Sequence, residues 1–274
     1  MSIKSILALA EGNDLHSVLS AAVVLTARLS GRLDVLHIKA NPYDMIPIGI
    51  DGMTGSMVQD IVDATEKAIE ERRAEAKAEY DRVCPSSGQS VHWKEVVGRP
   101  FKMLSIASRF ADLLVVAQPD KDSPGTLLEA VDTALFETGR PLVLVPNGVS
   151  SIIGNRIMIA WNGSTQAALA VTAALPLLRL AGQVDIVQIG DIGQEAPASE
   201  LALYLSLHGI KSQPHAIDLG IRDIGSALID AAERFDSDLI VMGAYGHSRL
   251  RERILGGATR GLLAKSPWPI FMMH

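Results

Sequence analysis

Three glycines at fixed intervals are the part of this sequence best suited to chemistry. Gly243 ends the apolar run 239–242, Gly246 follows three positions on, and Gly256 closes the segment after nine further residues, 247–255. A buried strand that stops at a glycine turn presents backbone N–H groups to an anion. His247 and Arg249 lie inside the interval and offer a proton or a positive charge. Gly257, Ala258 and Thr259 open the helix-like stretch that follows, where a helix N-terminus favours negative charge. Tight turns alone also call for glycine. For His247 the simpler role is a polar loop position, and for at least two of Arg249, Arg251, Arg253 and Arg260 it is a solvated face.

Other chemistries lack their residues. The seven histidines show no HxxxH or CxxH spacing, so no structural or catalytic metal is expected. There is no GxSxG nucleophile elbow, no Walker A loop and no paired-carboxylate motif. Cys84, the single cysteine, cannot form an internal disulfide, and no base stands beside it in sequence.

The elements that must position the glycines emerge from an internal repeat. Ile6, Gly12, Gly31 and Asp34 match Ile157, Gly163, Gly182 and Asp185, each 151 residues on (157 − 6, and so for the rest). Further along, Asp112 and the apolar run after it match Asp238 and its run at an offset of 126 (238 − 112). The first copy therefore holds about 25 extra residues, an insertion near 41–60 rich in methionine, isoleucine and glycine. Such an adaptable segment suits a pocket cover, a partner contact or a loop packed on its own domain.

Each copy reads as five apolar runs alternating with helical patterns. The expected strands are near 3–9, 33–38, 90–96, 112–117 and 141–145, then 156–161, 184–189, 211–217, 238–242 and 269–273. Gly12, Asn13 and Asp14 offer caps for a helix that ends near Gly31. A charged helix is expected over 60–83, Pro100 suits a helix's first turn, and Asn162 with Ser164 caps a helix reaching Leu180. Short apolar strands alternating with helices mean a parallel sheet covered on both faces. Two tandem α/β domains follow, 1–149 and 150–274, joined by Gly-, Asn- and Ser-rich chemistry near 147–155. In such sheets ligands sit at the carboxyl ends of strands where strand order reverses, and Gly243 stands at one such end.

Bulk properties agree. Hydrophobic content of 48% against 20% charged fits a large core. A net charge of −6 argues against a nucleic-acid or anionic-membrane surface. The N-terminus lacks a secretory h-region and no apolar run reaches membrane-span length, so a soluble cytoplasmic protein is expected.

The tandem halves, the strand-end GAYGHSR, the GGAT before the last helix and the terminal apolar strand together resemble the universal stress protein family. The resemblance spans nearly the whole chain and is closest in the second half. It implies two doubly wound domains of the adenine nucleotide alpha hydrolase-like type, each a five-stranded mainly parallel sheet flanked by helices. It also implies an ATP or AMP site in the second half, with Gly243, Gly246 and Gly256 at the family's spacing. Two positions depart. The family has Ser or Thr where Gly257 stands, with Thr259 two residues late. An acidic residue at the end of the first strand is replaced by Asn162. A hydroxyl bond to phosphate is worth roughly 1.5–3 kcal/mol, so its loss weakens binding by about tenfold to somewhat over a hundredfold. In the first half Ala117 and Asp120 take the positions of Gly243 and Gly246, and Asp120, Asp122 and Pro119 disfavour phosphate there.

The resemblance further implies an internal pseudo-dimer, with strands 142–145 and 270–273 paired across a pseudo-two-fold, and leaves a further homodimer open. The expected activity is binding without turnover, acting on an unidentified protein partner. Two alternatives stand beside it: a nucleotide-free module for a protein or other small ligand, and an adenylyl-transfer enzyme, whose HxGH or SGGxDS signatures are missing here.

Overall fold

The computed structural model describes all residues except 1, 13, 43–54, 86–87, 121–122, 124, 150–151, 191–195, 221–222, 245–261 and 263–264. The first five strands are β1 (Ser5–Leu9), β2 (Arg32–Lys39), β3 (Val91–Val97), β4 (Leu113–Ala117) and β5 (Leu142–Val145). The second five are β6 (Arg156–Ala160), β7 (Gln183–Ile189), β8 (Gln213–Ile217), β9 (Leu239–Gly243) and β10 (Ile270–Met273). All ten form one sheet in the order β3-β2-β1-β4-β5-β10-β9-β6-β7-β8. Every pairing is parallel except β5 with β10, where Leu144, Val143 and Leu142 face Ile270, Phe271 and Met272 antiparallel. The expected pairing of the two terminal strands is therefore present, and it makes one continuous sheet of the two five-stranded halves.

Burial explains why these runs became strands. β4, β5 and most of β9 are buried along their whole length, as strands covered on both faces must be. The sheet's outer edges, β3 and β8, alternate and carry charge or proline (His92, Lys94, Glu95; Pro214), which discourages further pairing.

The helices are α1 (Leu15–Leu29), α2 (Gly55–Val83), α3 (Pro100–Ala107), α4 (Gly125–Phe136), α5 (Thr165–Leu178), α6 (Ala198–Leu207) and α7 (Ile224–Arg234), with a 3-10 turn at Ser108–Phe110. The chain steps outward from β1 to β3 and then back past β1 to β4 and β5. Right-handed crossovers in opposite directions put their helices on opposite faces. Accordingly α1 packs on α2 and, across the joint, on α5, while α3 packs on α4.

Two local expectations need correction, and a third, the cap of α5, is sharpened. α2 begins at Gly55, not 60, so the last part of the 41–60 insertion is helix; residues 43–54 of it lie outside the described residues. The left-handed residue ending α1 is Ser30 (φ 49°), not Gly31. Gly31 is required for room instead: a Cβ there would lie 3.0 Å from the Lys4 carbonyl oxygen. At α5 the capping oxygen belongs to Ser164, which accepts from the Ala167 N–H at 3.2 Å. Asn162 supports the cap from outside, its Oδ1 accepting from both the N–H and the Oγ–H of Ser164.

The segment 147–155 is fastened at both ends. Asp14, the N-cap of α1, accepts from Gly148 N–H at 2.9 Å. Asp238 accepts from the N–H groups of Gly154, Asn155 and Arg156, and Arg28 donates to the Gly154 and Leu180 carbonyls. In the first half Asp112 makes the corresponding pair of bonds to Lys4 and Ser5 N–H.

Candidate functional site

In the second half strand order reverses between β6 and β9. The chain leaves β6 for β7 and β8 on one side, then returns to β9 on the other. Their register aligns Ala160 with Met242, so the residues immediately beyond, Trp161 with Asn162 and Gly243 with Ala244, emerge side by side at the carboxyl ends. A crevice of this kind is where open parallel sheets hold ligands. The N-terminus of α5 opens onto the same place, with its positive end toward it. Asn162 is exposed, and with Oδ1 committed to Ser164 its amide nitrogen is the group positioned to donate outward.

Gly243 has a structural duty as well. A Cβ there would collide with the Ala167 backbone nitrogen and stand 2.5 Å from the Gln166 carbonyl carbon. The absence of a side chain thus lets α5 lie directly over the end of β9. Nearby, Trp161 Nε1 donates to the Ala196 carbonyl, and Ala244 is held to the C-terminal strand by its N–H to the Met273 carbonyl. Of the residues expected to form the site, the structure brings Asn162 and Gly243 together. Gly246, His247, Arg249, Gly256, Gly257, Ala258 and Thr259 lie outside the described residues.

The matching crevice of the first half, between β1 and β4, is closed differently. Ala117 replaces the glycine, and its Cβ lies 2.6 Å from where a Cβ of Gly12 would be. Beyond it Asp120 is folded into a turn, its Oδ1 accepting from Ser123 Oγ at 2.7 Å. The 151-residue offset also exposes a residue the sequence reading passed over: Glu11 stands where Asn162 stands (162 − 11). The acidic group and the glycines expected together in one site are thus divided between the halves. The repeat alignment itself carried that signal.

Close by in the first half, His37 is buried against Trp93, the rings 5.7 Å apart and nearly parallel. Neither ring nitrogen has a well-aligned hydrogen-bond partner among the described residues, and burial pushes its pKa below the usual 6.5, only partly offset by the nearby Ala10 backbone. The buried Cys84 thiol is pushed up to about 11, chiefly by burial, which makes it a poor nucleophile at neutral pH. No group of three or more His, Cys, Asp or Glu fit for a metal occurs among the described residues, and no described helix is long and apolar enough to cross a membrane.

Strand order, helix layers and the crevice define a doubly wound α/β protein of two five-stranded halves. Residues 154–274 match the model of the universal stress protein family. The whole chain superposes on a universal stress protein from Archaeoglobus fulgidus DSM 4304 with TM-score 0.72 and 16% identity, covering 99% of this chain and 96% of that one. It also superposes on a functionally unknown protein from Pseudomonas aeruginosa PAO1 with TM-score 0.60 and 12% identity, covering 99% and 92%. Identities this low establish a shared fold. Comparison with curated proteins gives no match. The family match is therefore to the second half of the chain, residues 154–274.

Proposed function

We propose that this protein is a stress-response protein whose second half, 150–274, forms a domain that binds an adenine nucleotide, ATP or AMP, while the first half, 1–149, forms a domain that completes the internal pseudo-dimer. The observation that carries this reading is the meeting of Asn162 and Gly243 at the β6–β9 reversal. It is supported by the Gly243, Gly246, Gly256 spacing, which would aim backbone N–H groups at phosphate. Asn162 would donate to the nucleoside, and His247, Arg249 and the backbone of Gly256, Gly257 and Ala258 would meet the phosphates, with Thr259 supplying a hydroxyl.

Binding, not turnover, is the proposed activity, since no residue among the described ones is placed as a base. Nucleotide occupancy would stiffen 243–259 and alter contacts with a protein partner in the cytoplasm. Isothermal titration with ATP and AMP tests this directly. Wild type should release or absorb heat with at least one of them, and Gly246→Asp, which sets a carboxylate against phosphate, should abolish the signal. No heat from either nucleotide with wild type would sink the reading.

One observation favours a second reading. Gly243 is accounted for by α5 packing alone, so its conservation of space needs no ligand. A nucleotide-free module for a protein or another small ligand would then be expected to show no nucleotide mass after native purification, whereas the leading reading expects one.

A further inference from the structure

The first half shows water an apolar face. Phe101 and Ile106 project from α3, Phe110 from the 3-10 turn after it, and Leu128 and Phe136 from α4. The chain has five phenylalanines, and three of them, on α3, on the turn after it and on α4, are exposed. The offset that matches Asp112 with Asp238 places Asp236 opposite Phe110 (236 − 110 = 126). Phe110 is 82% exposed, and so is the Asp236 side chain. Aspartate is what a solvated position ordinarily holds; phenylalanine at the same exposure marks a surface meant to be covered.

The charges around it indicate by what. Between α3 and α4 runs a groove of about 580 Å3 with Phe101, Ile106 and Phe136 among its lining. Lys102 and Arg109 stand on the α3 side, Glu129, Asp132 and Glu137 on the α4 side. None of these five belongs to an ion pair among the described residues. Burial raises the Asp132 carboxyl above its usual 3.8, consistent with a wall already partly dry. A partner of uniform charge would meet like charge on one wall. A two-fold rotation does the opposite: it lays the basic wall of one copy on the acidic wall of the other, and does so twice.

We propose that the α3–α4 face is the interface of a homodimer, in which a second copy of the chain covers Phe110 and Phe136 and sets Lys102 and Arg109 against Glu129, Asp132 and Glu137. Phe136 lies 4.9 Å from His274, whose Nδ1 is 3.1 Å from the Ala244 carbonyl, but the face uses none of the residues proposed to hold a nucleotide, so the proposal does not depend on nucleotide binding.

Light scattering on the eluting full-length protein tests it. Wild type is expected at twice the 29.3 kDa chain mass at micromolar concentration. Phe110→Asp, which copies the second half and touches no core, should weaken association at least about tenfold. Lys102→Glu with Arg109→Glu should dissociate the dimer, and adding Glu129→Lys with Glu137→Lys in the same chain should restore it. Circular dichroism should show each variant folded. A monomeric wild type would overturn the proposal and assign the face to a different partner. A dimer indifferent to Phe110→Asp, or one that the four-residue reversal fails to restore, would overturn it equally.

Discussion

A residue proposed for chemistry can already be required by structure, and Gly243 is the clearest case. Its place at the end of β9 suits an anion, but its missing side chain is already required by the α5 backbone. Gly243→Ala should therefore lose about 3 kcal/mol of unfolding free energy, the cost of forced overpacking against backbone. Chemical denaturation without any nucleotide would reveal it; an unchanged midpoint would mean the glycine serves only a ligand. His37 gives a second residue-level expectation. Its pKa is lowered first by burial, so in the folded protein it stays neutral at a pH where the unfolded chain has begun to protonate. Between the folded value and 6.5 the unfolded state binds more protons, and stability must fall as pH drops through that window. His37→Phe removes two unsatisfied nitrogens and should flatten this slope while keeping stability at neutral pH at or above wild type. Denaturation midpoints across pH 5 to about 7.5 should differ in slope between the two proteins; parallel curves would refute the assignment.

Elements were legible where one physical cause dominated. Every strand lies within two residues or so of its expected position, because a short apolar run between turn residues has few other places to go once both faces are covered. α2 was legible from its charges: Lys67–Glu71, Arg73–Glu70, Lys77–Asp81 and Arg82–Glu79 line it, and Val62, Ile69 and Ala76 are its buried stripe. Its start was not, since GSMVQD reads as loop until the rest of the helix carries it along. Caps were harder still. Asn162 and Ser164 both bear a suitable oxygen, and only the extended backbone at Ser164 (φ −75°, ψ 158°) decides between them. Ser30 took the left-handed position because Gly31 was needed against Lys4. Asp14 shows the same economy of polar groups. Burial alone would raise its carboxyl, but bonds from Ser17 and Gly148 outweigh burial and hold it below 3.8. One carboxylate thus starts a helix and anchors the segment between the halves. Of the candidate site, the strand-end geometry could be foreseen; the division of Glu11 from the glycines required the two copies to be compared residue by residue.

At the scale of the molecule, the antiparallel joint decides whether the halves behave as two proteins or one. Phe271 is fully buried on β10, paired with Val143 of the first half and Val241 of the second. Around it Leu142, Leu144, Ile270 and Met272 are also completely buried, so separating the halves would expose a continuous apolar strip. Arg28 and Asp238 add charge-assisted bonds to the connecting segment. Opening this joint costs far more than opening an ordinary polar contact between domains, so the two halves are expected to unfold together. Calorimetry of the whole chain should accordingly show a single transition. Phe271→Ala, by leaving a cavity at the centre of the joint, should cost about 3–5 kcal/mol. If the sheet is energetically continuous, the entire transition moves down in temperature as one peak. Two peaks in wild type, or a variant in which only part of the heat shifts, would show that the halves fold independently and that the joint is merely a contact.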